Sequence, residues 1–157
     1  MTPARAGGAP RDGALDVIVY IDGGSRGNPG PAAAGVVVSA ADDGTVLHEA
    51  GLFIGRATNN VAEYHGLLAG LEAARKLGAS GVAVRSDSEL LVRQMQGVYR
   101  VKNEGLIPLF QKARTLCQGL KKVSFTHVPR DQNTQADGLV NRALDLKRNV
   151  EDAAAGE

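Results

Sequence analysis

The sequence predicts an α/β fold in which a mixed β-sheet is flanked by helices. Three apolar segments rich in β-branched and small residues follow one another near the N-terminus with short turns between them, which is typical of an antiparallel meander. Segments with helical periodicity then alternate with two further strands, giving the order βββαβααβα. The chain of 157 residues is long enough for one domain with a substantial core and too short for two domains of ordinary size.

We predict the three strands of the meander at residues 17–22, 32–39 and 45–54. The first is an almost uninterrupted apolar run that ends on Asp22, which is typical of a central, buried strand. The loop that follows is rich in Gly and Pro but has no Lys in the position that a phosphate-binding P-loop requires. A strand rather than a helix comes next, which argues against a dinucleotide-binding loop and favours a β-hairpin connection.

The rest of the chain alternates helices and strands. Thr58 or Asn59 suits the start of the first helix, and Gly78 suits its end. The later elements are a strand at 82–87, a helix at 88–96, an irregular segment at 98–105, a helix at 106–118, a strand at 123–128 and a helix at 134–146. We therefore expect one folded domain over residues 15–147, a disordered lead-in at 1–14 and a flexible acidic tail at 148–157.

Charge is unevenly distributed along the chain, although the net charge is only +1. Residues 100–148 carry ten basic and four acidic side chains, whereas residues 15–99 carry six basic and nine acidic ones. The second half could therefore face a polyanion, unless these groups merely cover solvated helix faces. Cys117 is the single cysteine, which excludes an internal disulfide and a cysteine-based zinc site. No apolar run has membrane-spanning length, and we expect a soluble, cytoplasmic protein.

Four carboxylates occupy comparable places in the predicted elements. Asp22 and Asp87 end strands, whereas Glu63 and Asp137 lie in the first turns of helices. Strand ends and neighbouring helix N-termini meet at one edge of a sheet with parallel strands, so these groups can form an acidic pocket suited to Mg²⁺ or Mn²⁺ rather than Zn²⁺. Each also has a purely structural alternative, as a turn residue or a helix cap.

His127 follows the last predicted strand and precedes the last helix, so it can reach the same edge of the sheet as a proton carrier. The alternative is an ordinary polar residue at a strand end. A Ser–His–Asp site is not indicated, because the sequence has no nucleophile elbow.

Four separated motifs resemble those of the ribonuclease H type 1 family, in the same order along the chain. They are the run Asp22–Gly30, the run Thr58–Tyr64, the triplet Ser86–Ser88, and the segment from His127 through Arg130 and Asn133 to Asp137. The resemblance covers residues 15 to 146 and is greatest to the compact prokaryotic members that lack the basic protrusion. It implies a five-stranded mixed sheet whose first three strands are antiparallel.

The resemblance also implies a site and an activity. Asp22, Glu63, Asp87 and Asp137 would hold two Mg²⁺ or Mn²⁺ ions when substrate is bound, and His127 would assist protonation or release of the product. Members of the family cut the RNA strand of RNA–DNA hybrids and leave 5′-phosphate and 3′-hydroxyl ends. Two metal ions can activate water and stabilise the leaving oxygen, so the implied mechanism agrees with the chemistry.

Seven further residues resemble the substrate-binding positions of the family. RNA differs from DNA by its 2′-hydroxyl, so an enzyme that selects the RNA strand must contact this group. The residues that resemble the family's contacts to the 2′-hydroxyl or to phosphate are Gly23, Gly24, Asn28, Thr58, Asn59, Asn60 and Arg130. Val61 stands where some members have a basic residue, which implies a weaker phosphate pocket. Glu89 stands where some members have Gln.

Three functions remain open at this point. The first is a metal-dependent endoribonuclease on RNA–DNA hybrids, and the second is a relaxed nuclease that also cuts double-stranded RNA. The third is a non-catalytic module that binds hybrids or RNA on the same fold. Clustered carboxylates oppose a pure polyanion binder, so we expect the enzyme, with a monomer as the default state.

Overall fold

The computed structural model describes residues 14–151. Within this range the chain forms six strands, four α-helices and a short 3₁₀ turn at Arg130–Gln132. The strands are β1 (Asp16–Ser25), β2 (Gly30–Ala40), β3 (Val46–Ala57), β4 (Gly81–Ser86), β5 (Lys122–His127) and β6 (Val150–Glu151). The helices are α1 (Asn59–Lys76), α2 (Glu89–Met95), α3 (Ile107–Gln118) and α4 (Thr134–Leu146).

The sheet has the strand order β5-β4-β1-β2-β3-β6 within the described residues. β1, β2 and β3 are antiparallel neighbours, whereas β4 pairs in parallel with both β1 and β5. The five main strands thus confirm the predicted mixed sheet with an antiparallel meander. β6 is a two-residue addition at the β3 edge.

The folded domain extends beyond residue 147, the boundary predicted from the sequence. Val150 is buried, the β6 pairing joins it to Gly51 of β3, and the Asn149 side chain accepts a hydrogen bond from the Phe53 N–H at 2.9 Å. The prediction of a flexible tail from residue 148 is therefore wrong for residues 149–150, because these tertiary contacts hold them. The predicted lead-in and the rest of the tail, residues 1–13 and 152–157, lie outside the described residues.

Asp22 lies inside β1 and does not end it, which corrects the predicted end of this strand. The antiparallel pairing with β2 continues to Ser25, which lies opposite Ala32. The parallel pairing with β4 stops earlier, at Ile21 and Ser86. Asp22 is therefore the first residue of β1 beyond its β4 neighbour, so its side chain can reach a space that the end of β4 leaves open.

Helices cover both faces of the sheet and divide the core into two parts. On one face, Val19 and Ile21 of β1 pack with Tyr64, Leu67 and Leu71 of α1 in a large aliphatic cluster. On the other face, α4 packs on β2 and β3 through a smaller cluster that comprises Ala33, Val37, Leu139, Val140, Ala143, Leu144 and Val150. The alternation of β-strand side chains between the two faces produces this arrangement.

Two glycines set the distances between the helices and the sheet. A Cβ at Gly23 would overlap with the backbone of α1 at Ala62 and Glu63. A Cβ at Gly35 of β2 would overlap with the backbone carbonyl of Ala136, in the first turn of α4. Because backbone atoms cannot move aside as a flexible side chain can, both helices lie closer to the sheet than any other residue would permit.

β5 forms the other edge of the sheet within the described residues. Lys121 and Lys122 stand at its start and are exposed. The Gln96 amide donates a hydrogen bond of 2.8 Å to the backbone carbonyl of Phe125, which ties the end of α2 to this strand. Among residues 14–151, no helix has the length and apolar character needed to cross a bilayer.

The packing of α4 on Gly35 is tested by Gly35→Ala. We expect the substitution to lower the free energy of unfolding by about 2–4 kcal/mol, because the added methyl group must displace α4. Gly138→Ala is the matched control on α4 itself, since its added Cβ meets no atom within 4 Å. The control should be neutral or stabilise by about 0.5–1 kcal/mol, because Ala favours helix over Gly. Urea denaturation measures both, and equal stabilities of the two variants would contradict the close contact.

Candidate metal and nucleic-acid site

Three of the predicted carboxylates meet at one point of the fold. One carboxylate oxygen from each of Asp22, Glu63 and Asp87 lies within 4.8 Å of the other two. They come from β1, from the second turn of α1 and from the residue after β4. Asp22 is only 7 % exposed, and the other two are half-buried. An all-oxygen cluster of this kind is chemically suited to a hard divalent cation.

In the absence of a cation, burial and electrostatic repulsion raise the pKa values of two of these carboxyls. Burial, followed by the negative charge of Asp87, raises the pKa of Asp22 to about 8, although the Gly23 N–H opposes this shift. Burial also raises the pKa of Glu63 to about 7, with a smaller contribution from Asp87. A hydrogen bond from the Ser88 hydroxyl and the charge of Arg130 act in the opposite direction on Glu63. The cluster therefore retains protons at neutral pH until a positive charge enters it.

Asp137 lies beside this group without belonging to its closest part. It sits in the first turn of α4 and lines the same open cleft, which has a volume of about 540 Å³. Its charge and a side-chain hydrogen bond with Asp22 both raise the pKa of Asp22. The structure thus brings all four predicted carboxylates to one cleft, with three of them in the tightest cluster.

The start of α1 argues against the alternative that Glu63 is merely a helix cap. Thr58 is the N-cap, and its hydroxyl accepts a hydrogen bond from the Val61 N–H at 3.2 Å. The capping-box position of this helix is therefore Val61, and Glu63 lies two residues beyond it, too far along the helix to act as a cap. Its carboxylate points into the cleft instead, because Gly23 allows the backbone of α1 to lie against β1 at this residue.

Three polar residues join the β1–β2 loop to the start of α1. The Asn59 side chain accepts a hydrogen bond from the Ser25 N–H at 2.7 Å. The Asn59 N–H in turn donates to the side chain of Asn28 at 3.0 Å. This reciprocal pairing of loop and helix means that Asn28 positions Asn59 while remaining exposed itself.

The predicted substrate-binding residues fall into two groups in the structure. Gly23, Gly24, Asn59, Asn60 and Arg130 line the cleft together with the carboxylates. Asn28 and Thr58 do not line it, and their observed contacts support the loop and the helix that do.

Arg130 and His127 stand at the margin of the site. Arg130 Nε lies 3.7 Å from Asp87 Oδ2, and its side chain is 87 % exposed, so this guanidinium can turn toward a ligand in the cleft. His127 is the last residue of β5, lies opposite Ser86 in the parallel register and is exposed. It does not line the cleft, so access to a ligand there requires movement of the side chain or a ligand that extends beyond the cleft.

Several residues of the cleft were not predicted from the sequence. Ser88 both caps α2 and bonds to Glu63, a contact that its adjacency to Asp87 could have suggested. Arg26, Val140, Asn141 and Leu144 also line the cleft. The last three follow Asp137 at helical spacing, so the face of α4 that carries Asp137 could have indicated them.

Comparison with known proteins agrees with this architecture. The family model described as reverse transcriptase-like matches residues 20–143. The bifunctional protein Rv2228c of Mycobacterium tuberculosis is 52 % identical over 131 residues, which are 83 % of this chain and 36 % of that protein. The chain thus spans about a third of the length of the curated mycobacterial relatives it matches.

Solved structures extend the comparison to three dimensions. The N-terminal ribonuclease H domain of Rv2228c has a TM-score of 0.83 at 51 % identity, covering 85 % of this chain and 96 % of that one. Ribonuclease H1 of Halobacterium salinarum has a TM-score of 0.80 at 47 % identity, covering 83 % and 98 %. LC11-RNase H1, solved in complex with an RNA/DNA hybrid, has a TM-score of 0.79 at 46 % identity, covering 83 % and 98 %. With its sheet order, its acidic cleft and these relatives, the chain belongs to the ribonuclease H type 1 family.

Proposed function

We propose that this chain is a metal-dependent endoribonuclease that hydrolyses the RNA strand of RNA–DNA hybrids and leaves 5′-phosphate and 3′-hydroxyl ends. The observation that carries the proposal is the gathering of Asp22, Glu63 and Asp87 within 4.8 Å, beside Asp137 in one open cleft. The hybrid-bound structure of LC11-RNase H1 supports the choice of substrate.

The residues of the cluster fit Mg²⁺ or Mn²⁺. All donors are carboxylate oxygens, and burial together with mutual repulsion makes their joint ionisation costly until a cation is present. Asp22, Glu63 and Asp87 would hold the first ion, and Asp137 with Asp22 would contribute to a second when substrate is bound. Ions bound there supply activation of the attacking water and stabilisation of the leaving oxygen.

The other residues of the cleft position the nucleic acid. The partly buried backbone at Gly23 and Gly24, which lines the cleft, and the side chains of Asn59 and Asn60 can exchange hydrogen bonds with the 2′-hydroxyl of the RNA strand. Asn28 and Thr58 hold the loop and helix that carry these groups. Arg130 contributes a cation at the rim, where a phosphate can pair with it.

The central test is cleavage of a duplex with one labelled RNA strand, paired with either DNA or RNA, in the presence of Mg²⁺, Mn²⁺ or EDTA. We expect cleavage of the hybrid and its loss in EDTA. Cleavage of both duplexes would indicate a relaxed nuclease. Binding without cleavage in either metal would contradict the enzymatic proposal and leave a binding module.

Asp87→Asn should reduce hybrid cleavage by a factor on the order of 10³ or more, because it removes a charged ligand from the cluster. The fold should persist, since neutralising this carboxylate relieves repulsion with Asp22. Asp42→Asn, in the exposed turn between β2 and β3, is the matched control and should retain full activity. Steady-state cleavage rates and thermal unfolding measure the effects, and an active Asp87→Asn variant would exclude this site.

Cation binding should release protons and should strengthen as the pH rises from about 6 to about 8. The metal-free protein holds protons there because the pKa values of Asp22 and Glu63 are raised to about 8 and about 7, whereas a bound cation requires the ionised forms. The apparent Kd for Mg²⁺ should fall roughly tenfold per pH unit when one proton is released. Calorimetric titration in buffers of different ionisation enthalpy measures the release, and a pH-independent affinity would contradict the raised pKa values.

His127→Ala should slow turnover by roughly 10²-fold without abolishing it, as expected for the loss of a group that assists proton transfer. The remaining activity should keep its full dependence on the divalent ion. Single-turnover cleavage separates the chemical step from product release. A loss as complete as that of Asp87→Asn would instead assign His127 a role in supporting the metal site.

A further inference from the structure

An ion pair outside the carboxylate cluster joins the β1–β2 loop to the last turn of α4. Arg26 Nη2 lies 2.9 Å from Asp145 Oδ1, and the two side chains are 50 % and 65 % exposed. Ion pairs this exposed contribute at most about 1 kcal/mol, because water solvates both groups well. The guanidinium can therefore exchange Asp145 for another anion at little cost in free energy.

Arg26 faces the same cleft as the carboxylates. Among the described residues, two arginines line this cleft, Arg26 and Arg130, against five acidic side chains. Arg130 is held on the β4 side through Asp87, whereas Arg26 is held on the α4 side through Asp145. The cleft thus has one guanidinium at each of two margins around its negatively charged centre.

A nucleic acid strand brings one phosphate with every nucleotide, so the phosphates next to the cleaved position also enter this acidic surrounding. The carboxylates repel these phosphates, so a positive charge beside each phosphate would favour binding. A guanidinium can supply that charge and binds a phosphate through two parallel hydrogen bonds. Building on the proposed function, we infer that Arg26 binds a backbone phosphate of the nucleic acid adjacent to the one at the carboxylates. In the free protein the Arg26 guanidinium pairs with Asp145, and the phosphate replaces Asp145 when the nucleic acid binds.

This exchange gives the two partners of the ion pair opposite effects. Arg26→Gln removes the phosphate contact and should weaken binding. Asp145→Asn removes the competing anion and should strengthen binding, provided that Arg26 is present. An ion pair that merely fixed the loop would give both substitutions the same sign, because each would release the loop.

The experiment measures binding of a fluorescently labelled 12-base-pair RNA–DNA hybrid to the Asp87→Asn chain, in Mg²⁺ and over a series of KCl concentrations. Arg26→Gln should raise Kd about three- to tenfold and reduce the slope of log affinity against log salt by about 0.7–0.9, the loss of one phosphate contact. Asp145→Asn should lower Kd about twofold, and this effect should vanish in the Arg26→Gln background. Arg26→Lys should restore the salt slope.

The matched control is the ion pair of Arg75 and Glu72 on α1, whose side chains are 54 % and 36 % exposed. Arg75 lies twelve residues beyond Glu63, or roughly 18 Å along the helix. Arg75→Gln and Glu72→Gln should leave Kd and the salt slope unchanged.

Two outcomes would overturn the inference and can be told apart. If the chain binds the hybrid but Arg26→Gln leaves the salt slope unchanged, or if Arg26→Gln and Asp145→Asn both weaken binding, the inference fails while the proposed function stands. If the unsubstituted chain neither binds nor cuts the hybrid, the proposed function fails and the inference fails with it.

Discussion

The close contact between Gly23 of β1 and the backbone of α1 at Glu63 is the constraint on which the site depends. It places the second turn of a helix directly over the strand that carries Asp22, so two carboxylates from different elements share one small space. The loop that follows is held to the same helix by the hydrogen bonds of Asn59 with Ser25 and Asn28. Strand, loop and helix therefore form one unit, which supplies Asp22, Asn59 and Glu63 to the cleft.

The cluster opposes the stability of the fold that carries it. Buried carboxylates that repel one another raise the free energy of the native state when they are ionised, which the raised pKa of Asp22 expresses. The aliphatic packing of β1 with α1 offsets this cost. Next to the site it fully buries apolar side chains such as Ile21 and Leu67, which stabilises the native state. The acidic residues thus stand at the border of the core, where burial is sufficient to raise their pKa values and a cation can still enter.

Local patterns predicted most of the elements and the four carboxylates, whereas tertiary pairing determined what they missed. The apolar run before Asp22 and the helical spacing after Thr58 are visible in a short window of sequence, so the buried part of β1 and the helix α1 could be predicted. The continuation of β1 to Ser25 depends on its β2 partner, and the two residues of β6 carry no pattern of their own. The Arg26–Asp145 pair likewise joins residues that are distant in sequence, and neither residue type signals the other.

The edge strand β5 has a consequence for self-association. An open strand edge offers backbone groups to which a second chain can add, and soluble proteins protect such edges with charge or cover. Here Lys121 and Lys122 place two positive charges at the start of the strand, and the Gln96 amide already occupies the Phe125 carbonyl. A strand that added to this edge would meet these two lysines and would have to displace the Gln96 amide. The positive charge of these lysines therefore disfavours edge-to-edge association of the sheet, and the same charge attracts a polyanion.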